Sequence, residues 1–269
     1  MNTLHTLCRE ISLPAEVTGK VLSLEESCRL SSLPLLRREE TWEAGLKETE
    51  ALLGEDPDGF GMLTCMLLCA EECRGDFEKL GLSHEIFVDT MGCFTRFVTE
   101  HLNSFGRYGF DRAFWTVRQV SCMLFRIGTL EYELLTEKGK KMISLHIPSD
   151  ADLSLPVLRA SYEMAKTLLA RFPDYAEGDW YCGSWLLSPN LKDFLPESSR
   201  ILGFQKSFQI QNTWTDEEFK EWVYGRVDIP NGELPEKTSL QRNVKAFLLS
   251  GGAFLSAEGI LVEEPFLTQ

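Results

Sequence analysis

The sequence has no Cys-x-x-Cys pair, no apolar run long enough to cross a bilayer, and no basic start followed by an apolar stretch at its N-terminus. Each absence removes a class of protein. Eight cysteines scattered over 269 residues form neither a zinc-ligand spacing nor the framework of a small secreted domain. The tightest set, Cys65, Cys69 and Cys73, shares a helical face, but its outer members are about 12 Å apart along the axis, too far for one zinc. They read as small apolar side chains in a packed helix. The longest apolar stretch, Met62–Ala70, is interrupted at Thr64, well short of the roughly 18 residues of a membrane helix. Nothing in MNTLHTLCREISLPAEV reads as a secretory signal, so a cytoplasmic protein is expected. Positive charge is also scarce. With 27 Lys and Arg against 41 Asp and Glu, a net charge of −14, the chain would be repelled by a phosphate backbone and by an anionic membrane. No nucleic acid and no membrane partner is expected.

The first 120 or so residues carry helical patterns. Gly61–Cys73 is apolar on nearly all sides and reads as a central helix. Around it stand Ser23–Arg29 with a capping-box spacing at Ser23 and Glu26, Glu39–Leu53, His84–Leu102, and Arg112–Met123. Near Met123 the period changes. Leu124–Leu135 alternates apolar and acidic positions, a polar turn with Gly139 follows, and Met142–Ile147 returns, which reads as a β-hairpin. Leu155–Phe172 is an amphipathic helix with Ser154 as its cap and Pro156 in its first turn. Strands are expected at Tyr181–Leu187 and Ser207–Ile210, with a final edge strand at Ile260–Glu264. Two late helices carry capping-box spacings, Thr215 with Glu218 and Thr238 with Gln241, and the second stops at Gly251-Gly252. The fold class is α+β or α/β: a helical N-terminal domain, 1–120, and a mixed-sheet domain with flanking helices, 121–269. A boundary drawn from sequence families could instead fall near Lys138.

Arg126-Ile-Gly-Thr-Leu-Glu-Tyr-Glu133, His146-Ile-Pro148, Ser184-Trp-Leu-Leu-Ser-Pro-Asn190 and Ser199-Arg-Ile-Leu-Gly-Phe204 together resemble a bacterial acyltransferase family with a helical N-acyltransferase N-terminal domain and a GNAT-like C-terminal domain. The resemblance spans nearly the whole chain and extends through Leu234-Pro235 and Thr238–Arg242. It implies an N-acyltransferase that moves an acyl group from acyl-CoA to a small-molecule amine. Asn190 and Gly203-Phe204 stand where such enzymes place an Asn at a helix start and a Gly-Phe at its end; capping a helix and ending one is the plainer reading of both.

The chemistry requires a base and a place for pyrophosphate. His146 is expected at a strand end facing the sheet crevice and can take a proton from an amine. Glu131 and Glu133 point to one face of their strand; either could serve as base, or both could simply lie on a solvated face. Trp185 could floor a pocket or pack in a core. Arg126, Arg200 and Arg242 could pair with a ligand carboxylate or phosphate or with the protein's own acids. GNAT enzymes cradle pyrophosphate in a glycine-bearing loop, but the matching stretch here, Ser149–Ser154, has no glycine and two carboxylates, Asp150 and Asp152. A second reading follows from that departure: a non-catalytic GNAT-like module that binds a ligand or a protein.

Overall fold

The computed structural model describes residues 3–262, 265 and 266. The chain divides into two compact units, Met1–Arg126 and Ile127–Gln269.

The first unit is helical: α1 (Thr3–Glu10), α2 (Ala15–Leu24), α3 (Leu33–Leu36), α4 (Trp42–Leu53), α5 (Phe60–Lys79), α6 (His84–Met91), α7 (Cys93–Phe105) and α8 (Ala113–Val120). Helix α5 is its axis, buried without a break from Phe60 to Ala70, as its all-round apolar sequence demands. The thiols of Cys65, Cys69 and Cys73 are fully buried and hydrogen-bond to the carbonyls of Cys28, Leu33 and Ala70. Two expectations shift here. Ser23–Arg29 is not a helix of its own: α2 ends at Leu24, and the Ser23 hydroxyl donates back to the Lys20 carbonyl instead of capping a new turn. The stretch His84–Leu102 is two helices, broken at Gly92, the first capped by the Ser83 hydroxyl.

The chain's six-stranded sheet has the order β1-β2-β3-β4-β6-β5; β1 (Leu124–Ile127) straddles the division, and β2 (Leu130–Glu137), β3 (Lys140–His146), β4 (Trp180–Ser184), β5 (Phe208–Thr215) and β6 (Leu255–Leu261) belong to the second unit. Its helices are α9 (Leu155–Leu169), α10 (Pro173–Ala176), α11 (Leu191–Phe194), α12 (Arg200–Gln205), α13 (Phe219–Tyr224) and α14 (Ser239–Leu249). The expected single strand Leu124–Leu135 is two strands joined at Gly128-Thr129. Gly128 has φ +65°, and a Cβ there would lie 3.0 Å from the Cα of Ser161 in α9. Only glycine allows both the turn and the helix so close.

Strand β6 is not an edge strand: it lies between β4 and β5, and the part of the expected Ile260–Glu264 strand at 263–264 falls outside the described residues. Strand β5 runs through Thr215, so the cap of α13 passes to Asp216, whose carboxylate accepts from the Glu218 and Phe219 amides. The Thr238–Gln241 capping box of α14 is present, and Gly251 beyond the helix has φ +87°. Ser154 makes no side-chain cap on α9. Gly203 does not end α12 but lies buried within it.

Candidate active site

Alternation sorts the second unit's sheet into two faces. On one, Leu130, Tyr132 and Leu134 stand with Ile143 and Leu145, and Trp180 continues the row. This face packs on α9, where the buried Tyr132 hydroxyl meets Ser161 Oγ at 3.0 Å and the Trp180 ring packs edge-on against Tyr132 and Tyr162. On the other face the register sets Glu131 opposite His146 and Glu133 opposite Ser144, which lies beside Tyr181. Glu258 of β6, opposite Gly183, extends this polar row.

The polar face is not a solvated one. Glu131 is 2% exposed and Glu133 5%, so the reading of these acids as surface residues is corrected. A carboxylate this deep needs a partner that compensates for lost water. Glu133 has one: His146 Nε2 lies 2.7 Å from its Oε2. A carboxylate can only accept, so Nε2 carries the hydrogen of this bond. The pair is diagonal in the ladder, within reach of long side chains. Tyr181 donates to Glu258 Oε2 at 2.9 Å, and burial, reinforced by that carboxylate, pushes its phenol above the ordinary range.

His146 stands at the carboxyl end of β3. Strands β3 and β4 run parallel, with register pairs Ile143–Trp180 and Ser144–Tyr181. Beyond these, each strand continues against its other neighbour: Leu145 and His146 with β2, Cys182 to Ser184 with β6. The register pairing between the two strands ends at Ser144, two residues short of His146, and in open sheets it is at the carboxyl ends of parallel strands that ligands bind.

The other sequence-predicted residues lie on several elements. Arg126 lies in β1, where its backbone amide donates to Thr90 Oγ1. Trp185 packs against a separate apolar cluster built on Leu191, Phe219, Val244 and Phe254. The Asn190 carboxamide does not cap α11; its Oδ1 accepts from the Leu255 amide at 2.9 Å. Arg242 donates to the Glu236 carbonyl. Arg200 pairs with Asp152 at 3.0 Å on the surface, next to the start of α9. In that turn Asp152 Oδ1 accepts the Ser154 amide, a bond that holds its carboxyl below the usual range. Ser144, Tyr181 and Glu258 escaped the sequence reading; period 2 along Trp180–Ser184 carried a signal for Tyr181, whereas Leu-Ser-Ala-Glu-Gly-Ile-Leu in β6 shows no clean alternation.

These features belong to an acyltransferase architecture. Residues 103–261 match the model of the GNAT-like C-terminal domain and residues 2–122 that of the N-acyltransferase N-terminal domain, so the chain belongs to the GNAT-like C-terminal domain family and carries both of its acyltransferase domains. Among solved structures it is similar to an acyltransferase in complex with decanoyl-CoA and teicoplanin, with a TM-score of 0.79 and 21% identity over 95% of this chain and 86% of that one. It is equally similar to an acyltransferase mutant in complex with octanoyl-CoA, with a TM-score of 0.80 and 20% identity over the same shares. No curated protein matches the chain.

Proposed function

We propose that the protein is an N-acyltransferase that takes an acyl group from an acyl-CoA thioester and delivers it to a small amine, with His146 as the base and Glu133 as the group that orients it. The observation that carries this reading is the buried Glu133–His146 bond at the carboxyl end of the β3–β4 pair. His146 takes a proton from the neutral amine as its nitrogen attacks the thioester carbonyl, and the C–S bond breaks to release coenzyme A, whose thiolate takes up that proton. Glu133 orients the ring and stabilises the imidazolium that results, and Glu131 lies opposite His146 in the same ladder. The strand edges beyond the register pairs can receive the amides of the pantetheine arm as a strand would. Similarity to structures holding decanoyl-CoA, CoA and octanoyl-CoA supports acyl-CoA as the donor.

For the pyrophosphate, Arg200 is the cation beside the start of α9, released from Asp152 when the ligand binds. Trp185, Asn190 and Arg242 take no part in this reading, being held in core packing or in other bonds. The second reading, a binding module without turnover, draws its support from the Asp152 carboxylate at the Ser154 amide. Isothermal titration with acetyl-, octanoyl- and decanoyl-CoA, followed by thiol release with a panel of amines, separates the two. Heat together with amine-dependent thiol release is the expected result. Heat without thiol release across the panel leaves the binding module, and no heat at millimolar ligand removes both forms of CoA chemistry.

A further inference from the structure

One of the two edge strands of the sheet is β5, Phe208–Thr215. From Gln209 to Thr213 every residue is exposed. Because Gln209 and Asn212 stand with Ile260 and Glu258 on one face while Ile210 and Thr213 stand with Gly259 and Ala257 on the other, both faces of this strand are open as well as its edge. Ile210 alone is 43% exposed. In a chain that is 25% charged, Ser207–Thr215 carries no charge and no proline. Natural edge strands are guarded against pairing by lysine, proline or inward charge. This one has a single guard, a bulge between Ile210 and Asn212, which leaves Asn212–Thr215 regular.

We infer that β5 is an interface at which a second copy of this chain pairs antiparallel to the first, joining two sheets across a twofold axis. Two features select a second copy over another occupant. Copies that each carry a net charge of −14 repel wherever acidic surface meets acidic surface, so contact is favoured where the strand is neutral. Its polar side chains, Gln209, Gln211, Asn212, Thr213 and Thr215, are both donors and acceptors, so each can match its own kind; a lysine or glutamate cannot. A twofold axis perpendicular to the sheet keeps each face on its own side, and the contact is isologous. Centred on the regular stretch, it sets Thr213 opposite Thr213 of the other copy, a favourable cross-strand pair, with Asn212 opposite Trp214.

Sedimentation equilibrium of the full chain tests this. The expected species has twice the chain mass of 30.6 kDa, and Thr213→Lys, which places like charges directly opposite, weakens self-association at least about tenfold without changing the far-UV thermal transition. Thr213→Cys, treated with oxidised glutathione, should form a disulfide-linked dimer, a readout independent of how the lysine variant folds. A species of 30.6 kDa at every concentration overturns the inference. So does a dimer that survives Thr213→Lys and in which Thr213→Cys fails to cross-link.

Discussion

The two faces of the β2–β3 hairpin share one backbone and one register but do opposite work. On the α9 side, Tyr132, Leu145 and Ile143 are fully buried and apolar contact dominates; the one polar knot, Ser161 with Tyr132, the Leu130 amide and the Ile127 carbonyl, is closed on itself. On the other side Glu131, Glu133, Ser144 and His146 replace the apolar rows. Burying two carboxylates costs several kcal/mol per ion unless a cation or hydrogen bonds compensate. Burying Tyr132 and Leu145 yields about 1.5–3 kcal/mol each. The hairpin thus gains its stability on one face and spends part of it holding charge on the other. Substitutions on the two faces should separate cleanly into loss of fold and loss of turnover.

The sharpest break of that symmetry is His146→Ala. Removing the base should lower kcat about 10²–10⁴-fold while acyl-CoA binding by calorimetry stays as it was. An unchanged kcat would move the chemistry elsewhere on the sheet. Glu133→Gln keeps the shape but exchanges an acceptor that fixes the ring for an amide that can donate to it, so kcat should fall by roughly tenfold to a hundredfold with KM for acyl-CoA unaltered. If KM rises and kcat does not, Glu133 serves binding instead.

On the opposite face, Ser161→Ala strips partners from the Leu130 amide, the Tyr132 hydroxyl and the Ile127 carbonyl at once. A loss of about 2–3 kcal/mol in unfolding free energy is expected, with turnover of the folded fraction intact. Tyr132→Phe removes only one bond and should cost about 1 kcal/mol. Denaturant melts paired with thiol-release assays decide both. A Ser161→Ala protein of normal stability but low turnover would reverse the assignment of the faces.

The pattern of the hairpin was legible because period 2 is a local property: Glu131 and Glu133 share a face whatever surrounds them. What covers that face is not local, and so their burial was misread. Gly128 was hidden for a related reason. As a break in an apolar run it looks tolerable within one strand, and only the approach of Ser161, far along the chain, turns it into a corner. Asn190 shows the limit from the other side. Its position before α11 suits a cap, but the Leu255 amide, from a distant strand, claims its oxygen. The cysteines on α5 were easier, since an all-round apolar helix leaves its thiols no solvent whichever neighbours it meets.

The smallest effects should come from the surface pair at the start of α9, and their signs carry the information. Asp152 and Arg200 are both largely exposed, so their mutual attraction is weak and screened by salt. Toward a pyrophosphate they act in opposition. Replacing Asp152 by Asn keeps an acceptor for the Ser154 amide but deletes a charge that repels phosphate, so acyl-CoA should bind roughly fivefold tighter. Arg200→Gln should weaken binding by a similar factor, and both changes should fade as salt rises. Because the Asp152 carboxyl is held below the usual range, chiefly by the Ser154 amide, it stays charged through neutrality, and its repulsion of the ligand is constant there. The stability it lends the turn is likewise complete above the unfolded-state value and is lost only as pH falls through the lowered one. Titrations at pH 6 and pH 8 should therefore give the same ratio of Asp152→Asn to wild-type affinity. A ratio that changes between them would mean that a group titrating in that range, not Asp152, governs the phosphate subsite.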